Sequence, residues 1–216
     1  MCSVGKVAVD RVIAGTPSET DWPHLVQSVS ELHDTKIDLL DDRSITPQEL
    51  RSQINSMPDL TDRPLDLLVV DGLQTLRGGA YKDAPSHERL DHAMQELRFL
   101  AQERDCAVVV TSQLNRFHPD RRDYRPNLND LPSPVDQLAD AVFLLHRPEI
   151  DGNESWEWQG RAEIVVAKQQ GGSSSKSSIV GFLGRYMKFV NLTAASVEEV
   201  EAATMAANHG ARGISS

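Results

Sequence analysis

Asp71 ends an apolar run, Leu65-Asp-Leu-Leu-Val-Val-Asp71-Gly-Leu-Gln74. A carboxylate at the carboxyl end of a buried parallel strand lies where open α/β sheets bind ligands, and it can hold the water shell of Mg²⁺. Asp-Gly is also a common turn pair, so the residue alone leaves a turn-capping role equally open. Gln113 closes a second run, Ala107-Val-Val-Val-Thr-Ser-Gln113. If the two strands are neighbours, its amide stands beside Asp71 and could sense a γ-phosphate or orient a water. Taken singly, a glutamine exposed at a strand end is the plainer reading. Arg116, Arg121, Arg122 and Arg125, with Tyr124 among them, form the densest basic stretch. Guanidinium groups and an aromatic ring suit phosphate and base-stacking contacts with single-stranded nucleic acid. A solvated loop pairing with Asp120 and Asp123 explains them equally well. Lys168, next to Gln169-Gln170-Gly171-Gly172, could reach a neighbouring subunit's phosphate from a flexible tip.

No Gly-x-x-x-x-Gly-Lys-Ser/Thr loop precedes Asp71, so the group that grips phosphates is not among these residues. Val4-Gly5-Lys6-Val7 does not substitute for it. It has no glycine five residues earlier and no hydroxyl after the lysine.

The elements that must carry these residues alternate. Residues 1–35 read as helical, with Trp22, Leu25, Val29 and Leu32 as one apolar stripe, Thr20 or Asp21 as cap and Pro23 in the first turn. Ile37 to Leu40 is a short strand candidate. Thr46-Pro-Gln-Glu49 is a capping box that opens a helix to about Ser56. Leu65–Asp71 reads as a strand that is central in a parallel sheet, because its apolar character is continuous. A helix from about Ser86 to Arg104 and a strand from Val108 to Ser112 follow. Residues 113–135, rich in arginine and proline, read as a long functional loop. Strands are expected at Ala139–Leu145, Ala162–Lys168 and about Ser178–Leu183, with an edge strand at Met187–Asn191. Ser196-Val-Glu-Glu199 is a capping box for a last helix, and the chain frays from Gly210. The order predicts an α/β fold: a predominantly parallel sheet flanked by helices, extended by an antiparallel hairpin at the carboxyl end.

The bulk numbers narrow the class. The 216 residues suffice for one well-filled α/β domain, and 39% hydrophobic with 25% charged residues fits a globular chain. With no long apolar run and no basic-then-apolar leader, neither a membrane span nor a secretory signal is expected, which leaves the cytoplasm. Cys2 and Cys106 have no metal spacing and form no disulfide framework. A net charge of -10 argues against a broad basic face for duplex DNA, though not against a narrow basic channel.

The ordered motifs are more specific than any one of them. Leu-Leu-Val-Val-Asp71-Gly-Leu-Gln74, Thr-Ser112-Gln113-Leu-Asn115-Arg116, Arg125-Pro-Asn-Leu-Asn-Asp130-Leu, Asp136-Gln137-Leu-Ala-Asp140 and Ala162-Glu163-Ile-Val-Val-Ala-Lys168-Gln together resemble the carboxyl-terminal motor domain of DnaB-type replicative helicases. Asp21-Trp22 and the segment at 41–49 fit as well, so the resemblance runs from about residue 4 to residue 192. It implies a RecA-like fold, ATP with Mg²⁺, and a head-to-tail ring, usually of six subunits, translocating on single-stranded DNA. By the resemblance Asp71 matches the Walker B aspartate and holds Mg²⁺ through water. Gln113 matches the glutamine coupling the γ-phosphate to the DNA loops, and Lys168 the lysine offered across the subunit interface. Asn115, Arg116, Arg121, Arg122 and Arg125 fall in the DNA-bearing stretch.

Departures accompany the match. The resemblance places the phosphate loop, the water-activating glutamate and a primase-contacting domain upstream of residue 1. Gln170 stands where the family carries an arginine finger, a group typically worth about 10³–10⁵ in rate. The DNA-contacting turn is shortened to Pro132-Ser133-Pro134. The expected layout is therefore an incomplete motor domain over 1–192 and a helix with a frayed tail over 193–216. Three readings follow. The chain is a helicase domain whose start or front half lies elsewhere, a degenerate ring subunit or modulator without enzymatic activity, or another RecA-like ATPase of repair or recombination. In each, the polypeptide alone is expected not to hydrolyse ATP.

Overall fold

The structure is a computed structural model that describes residues 1–42, 45–57, 64–115, 124–150, 158–172, 176–193 and 200. It divides into two compact units. One takes residues 1–39, 144–165 and 176–216, and the other takes 40–143 and 166–175.

The second unit holds Asp71, Gln113, Lys168 and Gln170. Helix α4 (Pro47–Ser56) starts at the expected capping box: Thr46 accepts from the Glu49 amide at 3.2 Å, and Glu49 accepts from the Thr46 amide at 2.9 Å. Helix α5 (Ser86–Arg104) ends at Asp105, which adopts a left-handed conformation (φ 48°) and turns the chain into the next strand. Arg51 of α4 forks onto Glu103 of α5 at 2.7 and 3.1 Å and lies 4.3 Å over the Phe99 ring. Beneath these contacts Leu50, Ile54, Val70, Leu73, Met94, Leu97, Leu100 and Val135 form one core.

Strands β1 (Leu67–Val70) and β2 (Ala107–Val110) pair in parallel, with Leu67 opposite Ala107 and Val70 opposite Val110. The connection through α5 is the crossover that parallel strands require. The central position expected for β1 differs in detail. Among the described residues β1 pairs with β2 alone, and Leu67, Val69 and Val109 are half-exposed. Periodicity reported how apolar the strand is, which is not the same as what covers it.

A four-stranded sheet holds β3 (Ala141–His146), β4 (Arg161–Gln169), β5 (Lys176–Leu183) and β6 (Lys188–Asn191) in that order. β5 and β6 are antiparallel, with Phe182 opposite Phe189. This is the expected hairpin extension.

The first unit corrects the amino-terminal reading. Residues 1–35 are helical in three pieces, α1 (Cys2–Gly5), α2 (Val9–Ile13) and α3 (Asp21–His33), the last starting where the Thr20-Asp21 boundary is expected. Lys6 in a left-handed conformation (φ 52°) stops α1, and Gly15 (φ 69°) with Pro17 separates α2 from α3. The buried side of α3 is Leu25 and Ser28, whereas Trp22 and Val29 of the expected stripe are exposed. Gly5 packs so closely on α3 that a Cβ there would meet the His24 carbonyl at 2.8 Å. Neither expected cap forms at the start of α3. Asp21 instead accepts from the Ser18 amide at 2.8 Å and from Arg11 at 2.9 Å. Ile37 to Leu40 is not a strand, and Ile37 and Leu39 are exposed. The helix and tail expected from Ser196 onward lie outside the described residues, apart from Val200, which is buried.

Candidate functional site at the carboxyl ends of β1 and β2

The parallel register sets the geometry. Val70 and Val110 are partners, so Asp71 is level with Thr111, and Gln113 lies two residues further along its own strand end. The strands are neighbours, as the functional reading of Gln113 requires. The residue facing Asp71 is the threonine.

Thr111 ties the two strand ends together. Its amide donates to the Val70 carbonyl at 3.0 Å, and its own carbonyl accepts from the Leu73 amide at 2.8 Å. Its hydroxyl accepts from the Gly72 amide at 2.7 Å and donates to Asp71 Oδ1 at 2.8 Å. Gly72 sits at φ 91°, a conformation glycine takes without steric cost, and a Cβ there would strike the Thr75 methyl at 2.9 Å.

Gln74 makes the second bridge. Its Oε1 accepts from the Gln113 amide at 3.3 Å, and its Nε2 donates to Ser112 Oγ at 2.9 Å and to the Gln113 carbonyl at 3.4 Å. The Gln113 backbone is thereby held. Its own side-chain amide makes no hydrogen bond to a described residue. Sequence reasoning missed both bridging residues. The available signal was two polar side chains flanking Asp71 and Gln113 at the ends of adjacent apolar runs.

Asn115 leads away from the site. Its amide donates to the Asp130 carbonyl at 2.6 Å and its Nδ2 to the Leu131 carbonyl at 3.2 Å. Residues 128–130 form a 3-10 turn closed by an Asn127–Asp130 capping box, and α6 (Val135–Leu138) follows the Pro132-Ser133-Pro134 turn. The expected long loop thus has structure at its carboxyl end. Of the basic residues, Arg125 is half-buried beside exposed Tyr124, while Arg116, Arg121 and Arg122 lie outside the described residues.

Lys168 does not stand at a free tip. Its Nζ donates to the Asp136 carbonyl at 2.8 Å and the Gln137 carbonyl at 3.2 Å, at the end of α6 where carbonyls lack helical donors. The Gln170 amide donates to the Asp140 carbonyl at 3.0 Å, and the Gln170 side chain is exposed. Asp71, Gln113, Lys168 and Gln170 all belong to the second unit.

Among the described residues no three His, Cys, Asp or Glu side chains gather as a metal cage. One exposed carboxylate with a single oxygen engaged suits Mg²⁺, which keeps most of its waters and takes one or two carboxylates together with phosphate oxygens.

Residues 1–191 match the family described as DnaB-like helicase C terminal domain. The chain belongs to that family. It is 28% identical over 194 residues to the replicative DNA helicase DnaC of Bacillus subtilis (strain 168), covering 89% of this chain and 42% of that relative. It is 30% identical over 196 residues to the replicative DNA helicase DnaB of Pasteurella multocida (strain Pm70), covering 89% of this chain and 41% of that relative. The chain therefore spans less than half the length of these relatives. Two solved structures share its fold at a TM-score of 0.79 and 25% identity. The match to the first, an ATPase domain, covers 89% of this chain and 68% of that one. The match to the second, a DnaB-like replicative helicase described with its interactions with primase, covers 89% of this chain and 47% of that one. The RecA-like α/β architecture expected from the sequence is thus that of the DnaB-like helicase domains.

Proposed function

We propose that this chain supplies the cation-holding and phosphate-sensing part of a DnaB-type motor, working on single-stranded DNA within a ring of like or related subunits in the cytoplasm. The observation that supports it is the placement of Asp71 and Gln113 at the carboxyl ends of adjacent parallel strands, braced by Thr111 and Gln74. In this reading Asp71 accepts hydrogen bonds from the water shell of Mg²⁺ on ATP. Gln113 presents an unengaged amide, donor and acceptor at once, toward the terminal phosphate. Bound Mg²⁺–ATP would contribute charge neutralisation and the phosphoryl group itself. Asn115 is tied by its amide to the Asp130 carbonyl and by its side chain to the Leu131 carbonyl, and between these anchors in sequence lie Arg116, Arg121, Arg122 and Arg125, which would meet the DNA backbone.

The 216 residues contain no phosphate loop, so the polypeptide alone should show no Mg²⁺-dependent turnover. Wild-type hydrolysis abolished by Asp71→Ala would contradict this. A second reading, a ring subunit that joins without hydrolysing, draws on uncharged Gln170 and on the Pro132-Ser133-Pro134 turn.

The site itself is tested with Mn²⁺ alone, whose unpaired electrons broaden nearby amide resonances and which needs no phosphate loop to bind. Gly72 and Gln113 should broaden in the wild type and not in Asp71→Asn. Equal broadening in both proteins would remove Asp71 from the cation site.

A further inference from the structure

We propose that Thr111 is a positioning residue for the Asp71 carboxylate, setting it to receive a hydrated divalent cation carried on a nucleoside triphosphate. This role rests on the reading of Asp71 above and falls to a side chain that does not itself touch the cation.

A threonine hydroxyl has one proton to donate and two lone pairs. The Gly72 amide occupies a lone pair at 2.7 Å, and the proton goes to Asp71 Oδ1 at 2.8 Å. With its proton so placed, the hydroxyl is not turned back onto a helix or strand carbonyl. The Thr111 backbone is equally tied down, through its amide to Val70 and its carbonyl to Leu73. Gly72, between the carboxylate and its brace, is held on both sides: its amide by Thr111, and its carbonyl by the Thr75 hydroxyl at 2.6 Å. One oxygen of Asp71 is thereby fixed by a donor whose own position is set from three directions. Oδ2 receives no hydrogen bond from a described residue and is left for water.

Carboxylates that bind metals directly or through water are oriented in this way by outer hydrogen bonds, and losing such a partner typically costs about 10–100-fold in metal affinity or activity. A bond to an ionised acceptor is also stronger than one between neutral groups, which adds to the fixing of Oδ1. The competing explanation is that the hydroxyl merely closes the strand-to-turn corner through Gly72. In that case its loss would lower stability and leave cation binding at the remaining protein unchanged.

Three variants of the 216-residue chain separate these explanations, each titrated with Mn²⁺ while the Gly72 and Gln113 amides are followed, with thermal unfolding measured in parallel. Thr111→Val keeps the shape and removes both hydrogen bonds, and it should need about tenfold or more Mn²⁺ for the same broadening. Thr111→Ser keeps the hydroxyl and should titrate close to wild type. The Thr111 side chain is exposed, and if the valine variant does not fold, Thr111→Ala is read in its place. Wild-type titration by Thr111→Val overturns the inference, whatever its unfolding temperature. A serine variant as weak as the valine variant also overturns it, because the hydroxyl would then not be the determinant. A wild-type protein whose Gly72 and Gln113 amides never broaden overturns the reading of Asp71 itself, and the inference with it.

Discussion

Gln74 uses both ends of its amide just beyond the terminus of β2, so it holds Gln113 by the backbone and leaves the Gln113 side chain unengaged by it. Gln74→Ala should therefore speed hydrogen exchange at the Gln113 amide with little change in global stability, since an exposed hydrogen bond contributes only about 1 kcal/mol net. Unchanged exchange at that amide would show that the bridge does not hold in solution. Asp71 and Gln113 were legible in the sequence because each ends an apolar run, and a polar residue there breaks a pattern visible along one strand. Thr111 and Gln74 were not, because their meaning depends on the register between two strands separated by α5. Lys168 ends its strand as expected, but what its ammonium meets was not legible for a similar reason. The glycines after it suggested a mobile tip, but the carbonyls of Asp136 and Gln137 that hold its ammonium lie about thirty residues earlier in the chain.

At the scale of elements, local signals were dependable and long apolar stripes were not. The capping box at Thr46 is complete within four residues, and α4 begins where it says. Replacing Thr46 with alanine should lower stability by about 0.5–2 kcal/mol in urea denaturation. The stripe of Trp22, Leu25, Val29 and Leu32 reads as one apolar face, yet Leu25 is buried while Trp22 and Val29 are exposed. The junction before α3 also carries a pH signature. Hydrogen bonds from Ser18, with help from Arg11, hold the Asp21 carboxyl down from 3.8 to about 2. A carboxyl with a depressed folded-state pKa stabilises the fold above the unfolded value and ceases to do so as pH falls through the folded one. The Ser18 amide shift should thus titrate with a midpoint near 2, and the transition should vanish in Asp21→Asn. A midpoint near 3.8 would mean the junction is not formed.

The second unit is built on one packed core that backs the ends of β1 and β2. Leu73, 1% exposed, sits in that core directly behind the Asp71 turn. Leu73→Ala should cost about 2–5 kcal/mol on thermal or urea unfolding and loosen the turn with it. The overall α/β class was legible from the alternation of elements, whereas the half-exposed face of β1 and β2 was not, because a run of apolar residues does not report what covers it. Asp71, Gln113 and the arginine-bearing segment are proposed above to work together on single-stranded DNA. The direct measurement is the affinity for a single-stranded oligonucleotide as a function of salt, in wild type and in Arg121→Ala/Arg122→Ala. Wild-type binding should weaken with salt, and the logarithmic slope should be shallower by about 1.4 in the double variant, as two phosphate contacts are lost. Wild-type binding with the same slope as the double variant would contradict the proposal.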